Sequence, residues 1–503
     1  MAPTTSGGEG YEIPKLQPLP YNLALARLRR PEELVIKNCR MRRSTLARTA
    51  RICPAAGAAA LLLAGCETYS PLPLPQRPDL LDRLPVQATP MLDMDQVATI
   101  AVINNPDLKS ARFKAGVADA QVFQAGILPN PELAAELILP TNQEPKPASL
   151  GAGQEVPGPG FTYGLTYDIQ NLITFGAKVA AANAARDQAK LNILWQEWQT
   201  VSQARTLYIT GANAAEKRAL YATAEQRFAT QSDRSSRALQ SGDITFDAAA
   251  TDLAALLDAQ SQLRTSQRTE TQNAFNIRTL LGVSQNVDVT LRPLGLPDIP
   301  DRAAVEAALA KVADLRPDLR ALQAGYQSQE ETLRQAVLAQ FPSLALGLTR
   351  GSDTVGDRSD QGNTVHMLNI GATLNLPLFD RNQGNIAIQR TTRAQLLAEY
   401  QARLDQTTSD AWRIWNEMQQ LKAAIDETQA RLPELQKAAD DAERAYMQGN
   451  LPALTAVTLE NNLITRQAEL SDLKQSLWSD SVALASVLGT QVEPVVEMKE
   501  MTP

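Results

Sequence analysis

From Ala177 to Gln240 the chain holds no proline and a single glycine, Gly211, and it consists mostly of Ala, Gln, Glu, Arg and Leu. These residues are strong helix formers. At roughly 1.5 Å per residue such a run is a rod near 100 Å, far longer than a globular domain needs. Ser241-Gly242-Asp243-Ile244-Thr245 turns the chain, and a second helix is predicted from Phe246 to Leu281, so that Ala177 to Leu281 is one long helical hairpin. Leu194, Trp198, Val201, Ala204, Tyr208, Ala212, Ala215, Ala219 and Ala222 recur at alternating threes and fours. That is a narrow, alanine-rich coiled-coil stripe, which lets helices approach closely.

The chain makes this hairpin twice. The copy begins near Gly384, turns at Gln448-Gly449-Asn450-Leu451-Pro452, and returns through Leu459, Leu463, Leu470, Leu473, Leu477 and Leu484. Gly449 lies 207 residues after Gly242, and Gly489 lies 207 after Gly282. Asn105-Pro106-Asp107-Leu108 matches Arg316-Pro317-Asp318-Leu319 at 211, as Pro131 matches Pro342, so a four-residue slip falls between Pro131 and Gly242. This is a tandem duplication of a large unit and not a short solenoid repeat. Pro433 sits inside the second long helix, where proline kinks or breaks a helix; its counterpart, Gln226, does neither.

The three cysteines, Cys39, Cys53 and Cys66, all precede residue 67, so no disulfide framework or cysteine metal site is expected beyond it. Met41 to Arg51 is basic, Ile52 to Leu63 is a short apolar run, and Leu63-Ala64-Gly65-Cys66 closes it. The run is too short to span a bilayer, and the pattern resembles the lipobox of bacterial lipoproteins, which implies diacylglycerol and an N-acyl lipid on Cys66. Residues 1–65 are then leader and signal peptide, with Met41 the expected start, and their ten basic and four acidic residues leave the mature chain at -13. An acidic chain of this kind argues against nucleic acid as a partner. Residues 66–91, rich in proline, are expected to form an extended lipidated tether.

Repeat 1 is assigned to residues 92–282, a linker to 283–301, repeat 2 to 302–489 and a tail to 490–503. A helix is expected from Asp93 to Ala125, interrupted near Pro106, with Ala303 to Gln340 as its second copy. Leu128-Pro129-Asn130-Pro131 stops the first and feeds a strand, Glu132 to Leu139. After a polar loop rich in Gly and Pro, Phe161, Tyr163, Leu165, Tyr167 and Ile169 alternate with Thr162, Gly164, Thr166, Asp168 and Gln170. Repeat 2 offers Ser343 to Thr349, a loop Gly351 to Asn363, and Val365 to Leu376 with Leu368, Ile370, Ala372, Leu374 and Leu376 on one face. Alternation over this length is the pattern of a transmembrane β-strand. Four strands cannot close a barrel, and an open sheet edge cannot sit in hydrocarbon. Three chains would pool twelve strands above twelve helical positions, which favours a homotrimer.

Taken together these stretches, with Leu376-Pro377-Leu378-Phe379-Asp380-Arg381-Asn382-Gln383-Gly384, resemble the TolC-like outer-membrane efflux channels over essentially the whole mature chain. The resemblance implies an α+β membrane protein: a trimeric 12-stranded transmembrane β-barrel in the outer membrane, continued by a long α-helical coiled-coil barrel through the periplasm. It implies docking on a periplasmic adaptor (membrane fusion protein) and an inner-membrane pump of the resistance-nodulation-division type. Carried over by position, Gly242, Asp243, Gly449 and Asn450 would form the periplasmic tips that meet the adaptor, glycine there permitting the positive φ of a tight turn. Asp440 and Asp441 would form an acidic channel constriction, with Asp233 the repeat 1 equivalent of Asp440.

Nothing in the sequence assembles a catalytic site. The only histidine, His366, falls in a predicted strand, and the glycines near 151 and 158 do not follow a Rossmann-type strand. No resident cofactor or metal cluster is expected. The function read here is a passive exit duct for drugs, small molecules or metal ions. A type I protein secretion channel and a periplasmic adaptor lipoprotein are the alternatives, the adaptor disfavoured because it would carry one hairpin rather than two.

Overall fold

The computed structural model describes residues 69–84, 91–139, 141, 156–157, 160–356 and 363–490. Cys66, the leader and nearly all of the expected tail lie outside them. The chain divides into two compact units at Arg77 and Pro78. Of the first, residues 69–77 are exposed and carry no helix or strand. Everything below concerns the second.

Repeat 1 contains α1 (Met94–Asn104), α2 (Pro106–Gly126), β1 (Glu132–Ile138), the two-residue β2 (Val156–Pro157), β3 (Gly160–Asp168), α3 (Gln170–Ser241) and α4 (Phe246–Leu281). Repeat 2 contains α5 (Arg302–Leu309), α6 (Val312–Leu315), α7 (Pro317–Leu338), β4 (Ser343–Gly356), β5 (Asn363–Asn375), α8 (Gln383–Met447) and α9 (Ala453–Leu488). The interrupted helix expected from Ala303 to Gln340 breaks at Pro317, which lacks the N–H needed to continue the helix before it, and breaks once more between Leu309 and Val312. Conversely, Pro433 does not break α8, which runs 65 residues through it. One missing hydrogen bond is tolerated where the rest of a long helix is packed.

Local signals explain where the helices begin. Asp93 caps α1 in a capping box, accepting from the Gln96 N–H at 2.8 Å while the Gln96 side chain accepts from the Asp93 N–H at 3.0 Å. Asn105 caps α2 at the Leu108 N–H, and its amide also donates to the Leu280 carbonyl at 3.1 Å, tying α2 to the end of α4. Arg316 occupies the same place in repeat 2, donating to the Val487 carbonyl at 3.2 Å while ion-paired with Asp318 at 2.7 Å. Different residues thus close the same joint.

The internal symmetry extends to the core. Thr200, Ala204 and Tyr208 in α3 are buried, as are Thr407 and Ala411 in α8 at the same offset. Repeat 1 centres on Leu92, Ile100, Tyr208, Ile277 and Leu281. Repeat 2 centres on Ile414, Met418, Ile425, Leu470, Leu477 and Leu484, and with the buried Leu463 four of the six return-helix leucines form a strict seven-residue seam. Leu81, assigned to the tether, instead docks on repeat 1: its N–H donates to the Gly282 carbonyl at 3.1 Å and its carbonyl accepts from Ser284 at 2.8 Å.

The α3 stripe holds only in part. Trp198, Val201, Ala204 and Tyr208 are buried, but beyond them Ala219 and Ala222 are exposed and the buried face passes to Ala214, Ala224 and Phe228. A straight α-helix drifts about 20° per heptad from a 3.5-residue repeat, so a fixed three-and-four spacing walks off the seam.

The strands form one antiparallel sheet in the order β1-β3-β4-β5, with β2 pairing the far end of β4. β4 and β5 are longer than expected, 14 and 13 residues, because Ser352 to Val355 continue the ladder opposite Asn363 to His366. Most of the loop expected at 351–363 is therefore strand.

Candidate functional site

One face of the sheet carries exposed apolar side chains. Leu133, Leu165, Leu348 and Ile370 lie opposite one another across all four strands. They are 75%, 47%, 51% and 83% exposed. Leu137 and Phe161, and then Tyr163 and Leu368, add exposed apolar residues on the same face. The opposite face carries Thr166 with Gly347 and Gly371, and Thr349 with Asn369. Gly164 is buried there, and a Cβ on it would stand 2.7 Å from the Thr349 hydroxyl. A contiguous apolar face of this extent marks contact with a membrane or a partner. The outer edges of β1 and β5 pair with no other strand among the described residues. His366 sits on the apolar face opposite Ser352 and is exposed.

Both predicted tips are tight left-handed turns. Gly242 has φ 80° and Gly449 has φ 74°. The Asp243 N–H reaches back to the Ala238 carbonyl at 2.8 Å, and the Asn450 N–H to Ala445 at 2.9 Å. These bonds satisfy the last carbonyls of α3 and α8. Asp440 is half-buried and accepts from the Gln436 amide at 2.9 Å, while Asp441 is exposed and ion-paired with Arg444. Arg444 therefore offsets part of the acidic charge predicted here.

The sequence reading missed a polar cluster that joins the two hairpins near these tips. Asp252 of α4 is fully buried. It accepts from the Ser235 hydroxyl of α3, from the Gln231 amide at 3.4 Å, and from the Tyr446 hydroxyl of α8 at 2.9 Å. All three reach Oδ2; Oδ1 is buried without a hydrogen-bond partner among the described residues. Burial, then the Asp252 carboxylate, raises the Tyr446 pKa, so the phenol stays a donor. Nearby, Arg227 of α3 pairs with Glu460 of α9 at 2.9 Å, and Ala224, Phe228, Ala255, Ala259 and Ile464 pack in an apolar cluster. A signal existed: Asp252 shares the small-residue stripe of Ala248, Ala255 and Ala259, where a carboxylate must find partners.

Among the described residues no helix is long and apolar enough to cross a membrane, and among them no group of three or more His, Cys, Asp or Glu could hold a metal ion.

A small sheet with an exposed apolar face, joined to long helices of 72 and 65 residues that turn back as hairpins, defines the class of fold. Residues 308–490 match the family described as outer membrane efflux protein. The cobalt-zinc-cadmium resistance protein CzcC of Cupriavidus metallidurans is 22% identical over 80% of this chain and 92% of its own. Among solved structures, the transmembrane channel-forming CusC matches 83% of this chain and 98% of its own, with TM-score 0.64 and 18% identity. The outer membrane protein VceC of Vibrio cholerae matches 79% and 96%, with TM-score 0.63 and 19% identity.

Proposed function

We propose that the chain is one protomer of an outer-membrane efflux channel, the passive exit duct of a tripartite pump. The observation that carries this is the sheet: four strands with an exposed apolar face and two unpaired edges. An open edge in hydrocarbon strands several unsatisfied N–H and C=O groups, so the strands must be pooled between chains until the sheet closes. Three protomers give twelve strands and a barrel, with α3, α4, α8 and α9 continuing it as a helical tunnel into the periplasm. The turns at Gly242 and Gly449 then face a periplasmic adaptor and the inner-membrane pump, and the lipid on Cys66 anchors the chain to the outer membrane. The likeness to CzcC makes divalent cobalt, zinc and cadmium the first cargo to test.

Outer-membrane fractions run without boiling should yield an oligomeric band that collapses to monomer on heating, and the purified oligomer should conduct in a planar bilayer. A water-soluble monomer without conductance after removal of the acyl group sinks the reading. A deletion strain challenged with cobalt, zinc, cadmium and a drug panel separates metal from drug cargo.

A further inference from the structure

The internal duplication places two clefts at equivalent positions. In repeat 2 a cleft of about 340 Å³ lies between α3, α7 and α8 of one chain. In repeat 1 a cleft of about 370 Å³ lies against α2 and α3. The offsets, 211 for the short helices and 207 for the long ones, match their walls. Asp107 stands where Asp318 stands, and Gln196 and Gln199 stand where Arg403 and Gln406 stand. Asn192 is the counterpart of Glu399. The two positions that hold neutral amides in α3 therefore hold a carboxylate and a guanidinium in α8.

Neither charge is satisfied within the chain. Arg316 takes both oxygens of Asp318, at 2.9 and 2.7 Å, in a buried pair. Arg403 reaches the same carboxylate only at 3.5 Å, so two guanidiniums share one negative charge. Glu399 lies one turn from Arg403 on the same face of α8, a spacing of about 5–6 Å between Cβ atoms. Among the described residues it has no ion-pair partner, Arg403 included. The rest of the cleft suits a flat apolar body. The Trp195 indole forms one wall, with the Arg316 guanidinium stacked 5.3 Å from its ring centroid, and Leu322 forms another. Gln188 adds an amide, seated where glycine leaves room: a Cβ on Gly325 would stand 2.5 Å from its nitrogen. The cleft is at the small end of the range that takes small-molecule ligands.

We propose that this cleft binds a small aromatic zwitterion, with its anionic end on Arg403, its cationic end on Glu399 and its ring against Trp195. Charge-assisted hydrogen bonds give the two ends strength and direction, and the indole adds stacking area. A carboxylate alone meets Glu399 as a like charge, and an amine alone meets Arg403 as one, so the site selects molecules that carry both. All three walls belong to one chain, so binding does not depend on the channel reading.

The test is calorimetric titration of the purified full-length protein in detergent with 4-(aminomethyl)benzoate, whose ring separates an ammonium from a carboxylate. Benzoate and benzylamine are titrated alongside. Saturable binding of the zwitterion is expected, one per chain and at least tenfold tighter than either single ion. Equal affinity for all three, or no saturable binding of the zwitterion, overturns the proposal, and this comparison needs no variant. Arg403→Gln and Glu399→Asn install the residues that repeat 1 carries at the same places, which the same fold accommodates. Each should weaken zwitterion binding at least tenfold; unchanged binding in either variant refutes the role of that charge and with it the site. An oligomer that conducts but does not bind the zwitterion removes the cleft and leaves the channel reading standing. Binding by a chain that never conducts does the reverse.

Discussion

Tyr446→Phe removes the hydroxyl that links the two hairpins at Asp252 and, at 3.4 Å, at Ser235. The ring keeps its volume and packing, and only the hydroxyl that donates to Asp252 at 2.9 Å is lost. Asp252 is fully buried and already has one oxygen without a hydrogen-bond partner, so water does not readily replace the donor. A hydrogen bond to a charged group contributes about 1.5–3 kcal/mol. If the hairpins must part at this point for the tip to widen, the variant shifts that equilibrium toward the open form by about tenfold to a hundredfold. Single-channel recording in planar bilayers should show more frequent or longer high-conductance openings. Tyr400→Phe is the matched control, since its hydroxyl only accepts from the exposed Gln323 amide at 3.0 Å. Identical conductance for the two variants would refute the idea that Asp252 and Tyr446 hold the hairpins together.

Asp480 offers a pH prediction. Burial, and then the nearby Glu417, raise its pKa to about 6, with Arg413 opposing. Its native-state value lies above the unfolded one, so this carboxyl's contribution is fully present below about pH 4 and is lost as pH rises through about 6. Asp480→Asn should flatten that part of the thermal-stability profile and raise the melting temperature at pH 7; an unchanged profile contradicts the burial argument. Gly282→Ala should cost about 2 kcal/mol or more, since φ is +64° and the new Cβ would stand 2.8 Å from the Asn104 carbonyl. Gly242→Ala, with φ +80° and open space, should cost only about 1 kcal/mol, and equal melting temperatures would overturn the distinction. If Asp440 and Asp441 form the acidic constriction that the family resemblance implies, Asp440→Ala with Asp441→Ala should raise single-channel conductance or reduce cation selectivity; no change in either removes that constriction.

Much of this architecture could be read directly from residue order. The return helix from Phe246 to Leu281 begins and ends where glycine, threonine and the leucine run place it. Gly242 and Gly449 adopt the positive φ that a helix-to-helix turn demands. Alternation predicted all four long strands and which residues share a face. Reading by analogy to a fixed heptad failed along α3, since burial there follows neighbours on more than one side. The polar cluster at Asp252 was legible only as a carboxylate in the stripe of Ala248, Ala255 and Ala259; its partners were not, because Ser235, Asp252 and Tyr446 are brought together from three helices by hairpin packing and no sequence spacing relates them.

Local chemistry by itself determined the duplicated hairpin, its turns and the alternating strands, because propensity, glycine conformation and side-chain period are properties of short stretches. Only the tertiary structure decided that Pro433 stays inside an unbroken helix and that Ser235, Asp252 and Tyr446 meet in one buried cluster. Those outcomes depend on which surfaces meet across a chain of 503 residues, and each meeting joins groups that sequence order keeps far apart.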